Sequence, residues 1–387
     1  MDSLSQIVLG AAIGEAVLGR KAGNKAAMWG AVLGTIPDLD VVPGNLFIES
    51  TIDRLLFHRG FSHSIIFSLL FAWPCAWLIK VHPKIMLSLF LALIYGTLVI
   101  GIPSVLFTVI TTVIFAAIGF AIFKTKEMPP LGKLKEWTLL AFIALLTHPI
   151  LDAFTSYGTQ LYWPFKERVA WNTIFVADPI YTVPFLICVI AFLFFKRTSK
   201  VRRRLNYLGL FLSCSYLAFT VFNKQHINSI FEKNLVQQNI SYSTYQTKPM
   251  PLNNLLWSIT INGKDSMYLG YYSLLDENEN INFISFNKNH EIGEIINDQK
   301  EYNRLTFFSD NYYVLEQRGD TIHYGDLKFG IMGTGDTKPT RFIMSYDILN
   351  TESGTEFIQN FRKEAPKEGE FGMLMDRVKG IKFQDKY

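Results

Sequence analysis

Cysteine is scarce in this chain. Its 387 residues hold three, Cys75, Cys188 and Cys214, each inside an apolar run, so neither a disulfide framework nor a thiolate zinc site is indicated. Basic residues are missing ahead of the first apolar stretch: Asp2 stands there instead, and the first positive cluster, Arg20, Lys21 and Lys25, follows that stretch. This is the reverse of a cleavable secretory signal, so the segment is expected to stay in the mature chain. His-Glu-x-x-His is absent, which excludes the usual helix-borne zinc protease pattern. No Arg-Pro dipeptide occurs and no arginine stands near His148, which removes the pattern of a lipid phosphatase with a nucleophilic histidine.

What is present is a series of long apolar runs. About 20 mostly apolar residues cross a bilayer as a helix. Ser64 to Ile79, Ile85 to Ile100, Pro103 to Phe123, Trp137 to Phe154, Ile180 to Phe195 and Leu205 to Phe222 reach or approach that length. Two Gly-rich segments precede them, Leu4 to Leu18 and Ala26 to Val42. The fold expected for residues 1–222 is therefore an α-helical polytopic membrane bundle of about eight spans, the first two short enough to form a re-entrant hairpin instead. If the Lys196 to Arg204 run is cytoplasmic, alternation places 15 of the 19 Lys and Arg before Lys224 inside; only Arg54, Arg59, Lys166 and Arg168 remain outside. That bias sets orientation and puts both termini on the outer side of a cytoplasmic (inner) bacterial membrane.

Composition changes after the last span. Residues 1–223 carry 19 basic and 11 acidic side chains and residues 224–387 carry 18 and 22, so the net +4 is the sum of +8 and −4. Residues 223–387 are expected to form a soluble, extracytoplasmic α+β domain, mainly antiparallel β, and large enough for its own core. Strands are expected at Leu256 to Ile261, Met267 to Leu275, Ile281 to Asn287, Tyr312 to Gln317, Thr321 to Tyr324, Leu327 to Met332 and Phe342 to Tyr346, with helices at Asn223 to Gln238 and Thr355 to Lys363. Arg318-Gly319-Asp320 reads as a hairpin turn. His226, His290 and His323 are dispersed, so no chemistry is assigned to this half.

Seven ionisable residues sit at or beside span ends, on one face under the topology above: Asp38, Asp40, His58, His63, His148, Asp152 and Asp178. Such groups at membrane depth are costly and mark function by default. Imidazole and carboxylate also form the ligand mix that suits Zn, with Mn or Fe as alternatives. In Pro37-Asp38-Leu39-Asp40 each carboxylate can ligate, or one can orient a histidine. In His58-Arg59-Gly60-Phe61-Ser62-His63, Gly60 is expected to supply a turn that brings the two imidazoles together, with Ser62 capping the next span and Arg59 placed to bind an anionic group. His148 and Asp152 are four apart and share a helical face. Asp178 precedes Pro179 at a span start, where an aspartate often only caps. The loop Ser156 to Phe175 has the aromatic and polar mix of an interfacial lid or an aromatic belt. Glu15 is read as a helix-end charge beside Arg20.

Together with the opening Met1-Asp2-Ser3-Leu4-Ser5-Gln6-Ile7-Val8-Leu9-Gly10 and with Tyr157-Gly158-Thr159-Gln160 and Asp178-Pro179, these motifs resemble the YdjM-like family of membrane-bound metal-dependent hydrolases over about residues 1–195. The resemblance implies an integral membrane hydrolase. It also implies a first-helix ligand at position 6, where many members carry histidine and this chain has Gln6, whose amide oxygen would ligate or hold a metal-bound water. The expected metal set is thus His58, His63, His148, Asp152, Asp38, Asp40 and Gln6 around one or two ions, with Asp40 or Asp178 as general base. Expected partners are membrane lipids and a small or lipid-linked ester or phosphoester, with no nucleic acid. A metal-stabilised membrane scaffold or transporter, with a C-terminal domain that binds a protein partner, is the alternative reading.

Overall fold

The computed structural model describes residues 1–102, 104–125, 129–332, 342–352, 354–360 and 369–382. Lys126 of the expected cytoplasmic cluster and the end of the expected helix at 361–363 lie outside them. Two units are distinguished: Met1–Trp171 with Val176–Ala218, and Asn172–Phe175 with Phe219–Tyr387.

The first unit is helical. α1 (Ser3–Ala22) starts where the Asp2 side chain accepts from the Ser5 amide and ends where Gly23, at φ 59°, turns the chain into α2 (Asn24–Thr35). These two helices touch through backbone: a Cβ on Gly14 would lie 2.0 Å from Ala26 O, and one on Gly30 2.1 Å from Gly10 O. Any side chain at either position would force the pair apart. A 3-10 turn, Ile36–Asp40, leads into α3 (Val41–Phe47) and α4 (Thr51–Phe57), the latter capped by Ser50. A second 3-10 turn, Phe61–His63, precedes α5 (Ile65–Val81). Then come α6 (Pro83–Gly101), α7 (Val105–Lys124), α8 (Leu134–Ala153), α9 (Pro179–Leu193) and α10 (Lys200–Gln237). Trp137 of α8, fully buried, sits in a core with Leu18, Trp29, Leu33, Ala76 and Leu140.

Helix length and hydropathy do not reach the expected eight crossings. Among the described residues α6, α7, α8 and α10 are long and apolar enough to cross a membrane, and the segment Thr51–His63 with Ile65–Val81, bent by 61°, would make a fifth. At 1.5 Å per residue, the 12 residues of α2 span only about 18 Å, well short of a ~30 Å hydrocarbon core. Glu15 also departs from expectation. It is 4 % exposed in the middle of α1, and Arg202 of α10 donates Nε to its Oε1 at 2.8 Å and Nη2 to its Oε2 at 2.5 Å. A buried carboxylate needs such a partner.

The second unit begins within α10. Its sheets run β1 (Tyr242–Pro249), β2 (Leu256–Gly263), β3 (Ser266–Ser273), β4 (Ile284–Asn287) and β5 (Tyr313–Arg318), β6 (Thr321–Ile331), β7 (Phe342–Thr351), β8 (Gly354–Asn360), each an antiparallel meander in sequence order. α11 (Gln299–Phe308) joins the sheets and α12 (Glu370–Val378) follows them. Ile227, Ile230, Phe231 and Leu235 of α10 pack on Trp257, Ile259 and Ile261. Leu256, Met267 and Leu269 meet Val314, Leu327 and Ile331 of the other sheet. Both faces of β2 are thereby covered. The expected hairpin at Gly319 (φ 61°) forms, with Arg318 opposite Thr321. The two runs Thr321 to Tyr324 and Leu327 to Met332 are one strand, β6. The helix expected from Thr355 is instead β8, paired with β7 from Ser345↔Asn360 to Thr351↔Gly354; its β-branched and aromatic residues alternate in exposure with period two, as a strand requires.

Candidate metal centre

Asp38 lies in the 3-10 turn after α2, His63 in the turn before α5, and His148 and Asp152 one helical turn apart on α8. Their ligand atoms converge. His63 Nε2 and His148 Nε2 are 3.2 Å apart; Asp38 Oδ1 is 3.3 Å from each; Asp152 Oδ2 is 3.3 Å from His63 Nε2 and 3.4 Å from His148 Nε2. A tetrahedral ion with bonds of about 2.0–2.1 Å has ligand-to-ligand edges of roughly 3.3–3.4 Å. Four of the six edges here fall in that range and a fifth is 3.2 Å. All four donor atoms lie within 4.8 Å of one another. Asp152 Oδ2 is fully buried and makes no hydrogen bond of proper geometry, although His63 Nε2 and Arg59 Nε are 3.3 Å away. The donor set therefore fits a divalent ion.

The surrounding contacts aim those donors. His148 Nδ1 donates to Gly34 O at 2.5 Å, which leaves Nε2 as the lone-pair nitrogen. His63 Nδ1 faces Ser62 Oγ at 2.9 Å and Asp40 Oδ2 at 3.4 Å. Asp40 is thus an orienting carboxylate: it also accepts from Ser62 Oγ at 2.7 Å and from the Arg59 amide at 3.2 Å, and its Oδ1 is 2.7 Å from His58 Nδ1. On Asp152, Oδ1 accepts from the Met1 α-amino group and from Gln6 Nε2 at 3.0 Å. Arg59 Nη1 meanwhile donates to Thr155 Oγ1 at 2.9 Å.

The bend that joins the two histidines differs in detail from the sequence reading. Arg59, not Gly60, takes the left-handed conformation, at φ 59°, an uncommon one for a residue with a Cβ. Ser62 does not cap the next helix; Ser64 does, through the Phe67 amide. The loop after α8 pins the bend: Arg168 donates to His58 O at 2.7 Å and to Leu56 O at 2.9 Å, Tyr157 OH donates to Leu55 O at 2.9 Å, and the Arg59 guanidinium lies 5.1 Å from the Tyr157 ring.

Of the expected site residues, Asp38, His63, His148 and Asp152 form the donor group. His58 and Asp40 stand beside it as a hydrogen-bonded pair, the His58 ring 5.7 Å from that of His63. Gln6 turns its amide nitrogen toward Asp152, leaving its buried oxygen without a partner. Asp178 is not part of the group; it caps α9 through the Ile180 and Tyr181 amides and accepts from Tyr216 OH at 2.8 Å. Thr155 and Gly34 O are participants that the sequence did not single out, and Ser62 and Tyr157, expected as a cap and a loop aromatic, take part as hydrogen-bond partners. In the second unit His290 stacks on Tyr313 and His323 pairs with Asp347 at 2.8 Å.

The family described as YdjM inner membrane protein matches residues 1–101 and 104–227, a stretch that contains every residue of the centre. No curated protein and no solved structure matches the chain.

Proposed function

Since the chain belongs to the YdjM inner membrane protein family and its centre gathers two imidazoles and two carboxylates, we propose that it is a membrane-bound metal-dependent hydrolase acting on an ester or phosphoester of a lipid or lipid-linked substrate. The observation that carries the reading is the convergence of the four donors, with five of their six separations at 3.2–3.4 Å. Asp38, His63, His148 and Asp152 would hold a zinc ion, which would supply Lewis-acid polarisation of a carbonyl or phosphoryl oxygen and lower the pKa of water toward about 7. His63 and His148 present Nε2 because their Nδ1 atoms are held by Ser62, Asp40 and Gly34 O. Arg59 sets its guanidinium charge against Asp152, Nε standing 3.3 Å from Oδ2. Asp40, engaged with both His58 and His63, fixes the two rings relative to each other.

Four protein donors also suit a structural ion, since catalytic zinc sites keep a position open. What favours hydrolysis is access. Three of the donor side chains are fully buried, whereas Asp38 is 19 % exposed and lines a cleft together with His58 and Arg59. In the cell the charge bias supports an orientation with the centre at the outer face and the C-terminal domain outside, where that domain would meet a protein partner. The test is metal content by elemental analysis, paired with hydrolysis of chromogenic phosphodiesters and lipid esters by the purified full chain. His63→Ala should lose both metal and activity while His82→Ala, at the α5–α6 junction, keeps both. Equal metal content in the two variants would remove the centre. Metal that can be stripped only with loss of the fold, without activity at any stage, would establish the structural ion instead.

A further inference from the structure

The cleft that reaches the centre continues away from it between α2 and α6. Its volume is about 660 Å³, in the range that takes one small ligand. Met28, Val32 and Thr35 line one wall and Phe90, Ile94 and Thr97 the other; each trio has the four-then-three spacing that marks a single helical face. Both walls are apolar toward the start of their helices, and both end in a threonine on the side of Asp38. Seven residues of helix rise about 10 Å, so the trough has the length of a short run of methylenes. It also deepens toward the centre: Met28 is 44 % exposed, Val32 7 % and Thr35 5 %. At that deep end Val42 closes against α6, since a Cβ on Gly96 would stand 3.2 Å from Val42 Cγ1. Its charged or titratable lining is Asp38, His58 and Arg59 together with Asp2 and Met1, whose α-amino group is turned to Asp152.

We infer that this trough binds one hydrocarbon chain of a membrane amphiphile, with the ester or phosphoester head group directed to Asp38, His58 and Arg59. The inference rests on the hydrolase reading for the head group alone. The occupant is set by three features. α6 is one of the helices able to cross a bilayer, so the open end at Met28 is within reach of lipid. The apolar length is continuous with the polar end, which matches a molecule that has a chain on one side and a charged head on the other. And the Arg59 guanidinium beside the donor group favours an anionic head over a neutral or cationic one.

The experiment uses the full-length protein in phosphatidylcholine nanodiscs doped with phosphatidic acid that carries a diazirine midway along one acyl chain. After photolysis, labelled residues are mapped by mass spectrometry. Label should concentrate on Met28, Val32, Phe90 and Ile94. Filling the trough by Val32→Trp, or separately by Ile94→Trp, should cut that label about tenfold or more, whereas Ile114→Trp, on the 49 % exposed side of α7, should leave it unchanged. Gel filtration of each variant identifies a protein that has failed to fold, and two trough variants guard against losing one. Label spread evenly over α6 and α7, label indifferent to both trough variants, or a second polypeptide crosslinked in the trough would each overturn the inference. Labelling needs no turnover. Trough label without hydrolysis would end the hydrolase reading and keep the trough, and hydrolysis without trough label would do the reverse.

Discussion

Asp40 supplies no donor atom to the group, yet it holds four of the groups around it. It joins the first 3-10 turn to the bend of the second through His58, the Arg59 amide, Ser62 and His63. Outer partners of this kind typically change metal affinity by about 10- to 100-fold when removed. Asp40→Asn keeps the shape but loses the charge that orients His63, so apo-protein titrated with Zn should bind 10- to 100-fold more weakly while retaining a stoichiometry of one. Unchanged affinity would mean that Ser62 alone orients the ring. At this scale the sequence was informative about which residues meet and less so about their roles. His148 and Asp152 were readable because four residues on a helix fix two side chains on one face. That His58 is an Asp-held neighbour of the donors depends on the bend's backbone, where Arg59 adopts a conformation that residue identity favours for Gly60 instead.

Between the two sheets of the C-terminal domain lies a set of buried charges that a reading of strands one at a time cannot anticipate. Lys248 of β1 donates to Lys328 O, Lys328 Nζ is 2.9 Å from Asp310 Oδ2, and the Lys328 amide and Ser309 Oγ donate to Asp326. Burial pushes the Lys248 amine down to about 7 and the Asp326 carboxyl up to about 6. For Lys248 the cost of burying an ammonium is fully present below pH 7 and disappears as pH rises toward 10.5, the unfolded value, so this residue makes stability rise between those limits. Asp326 acts oppositely, lowering stability as pH rises from 3.8 to about 6. Lys248→Met should therefore raise stability near pH 7 by roughly 1–4 kcal/mol and abolish the rise above it, read from the thermal midpoint of this domain in the full chain. A lower midpoint at pH 7 would show that the hydrogen bond to Lys328 O outweighs the burial cost. The element β8 makes a related point: Thr355 to Asn360 has no glycine or proline to forbid a helix, and only pairing with β7 decides for a strand.

For the molecule as a whole, the division between a helical, basic half and a β-rich, acidic half is legible from composition. The count of crossings is less so, because hydropathy cannot distinguish a helix buried against its neighbours, as α1 is along much of its length, from one bathed in lipid. The proposed orientation rests on loop charge. Arg202 now pairs with Glu15, but removing it from the inner cluster leaves the bias intact. Alkaline phosphatase fused after Phe222 should be active; an inactive fusion, with a cytoplasmic reporter active at the same place, would move the centre to the inner face. The asymmetry of the donor group, three side chains sealed and Asp38 alone reaching the cleft, has a kinetic corollary. An ion held there has its exit where an amphiphile would enter, so residence of one controls exchange of the other. Chelator should strip the metal slowly, and more slowly still when phosphatidic acid fills the bilayer, whereas Val32→Trp should abolish that lipid dependence. Release of labelled zinc into excess chelator measures it. In a cell short of zinc, such a protein would hold its ion longest when its trough is occupied.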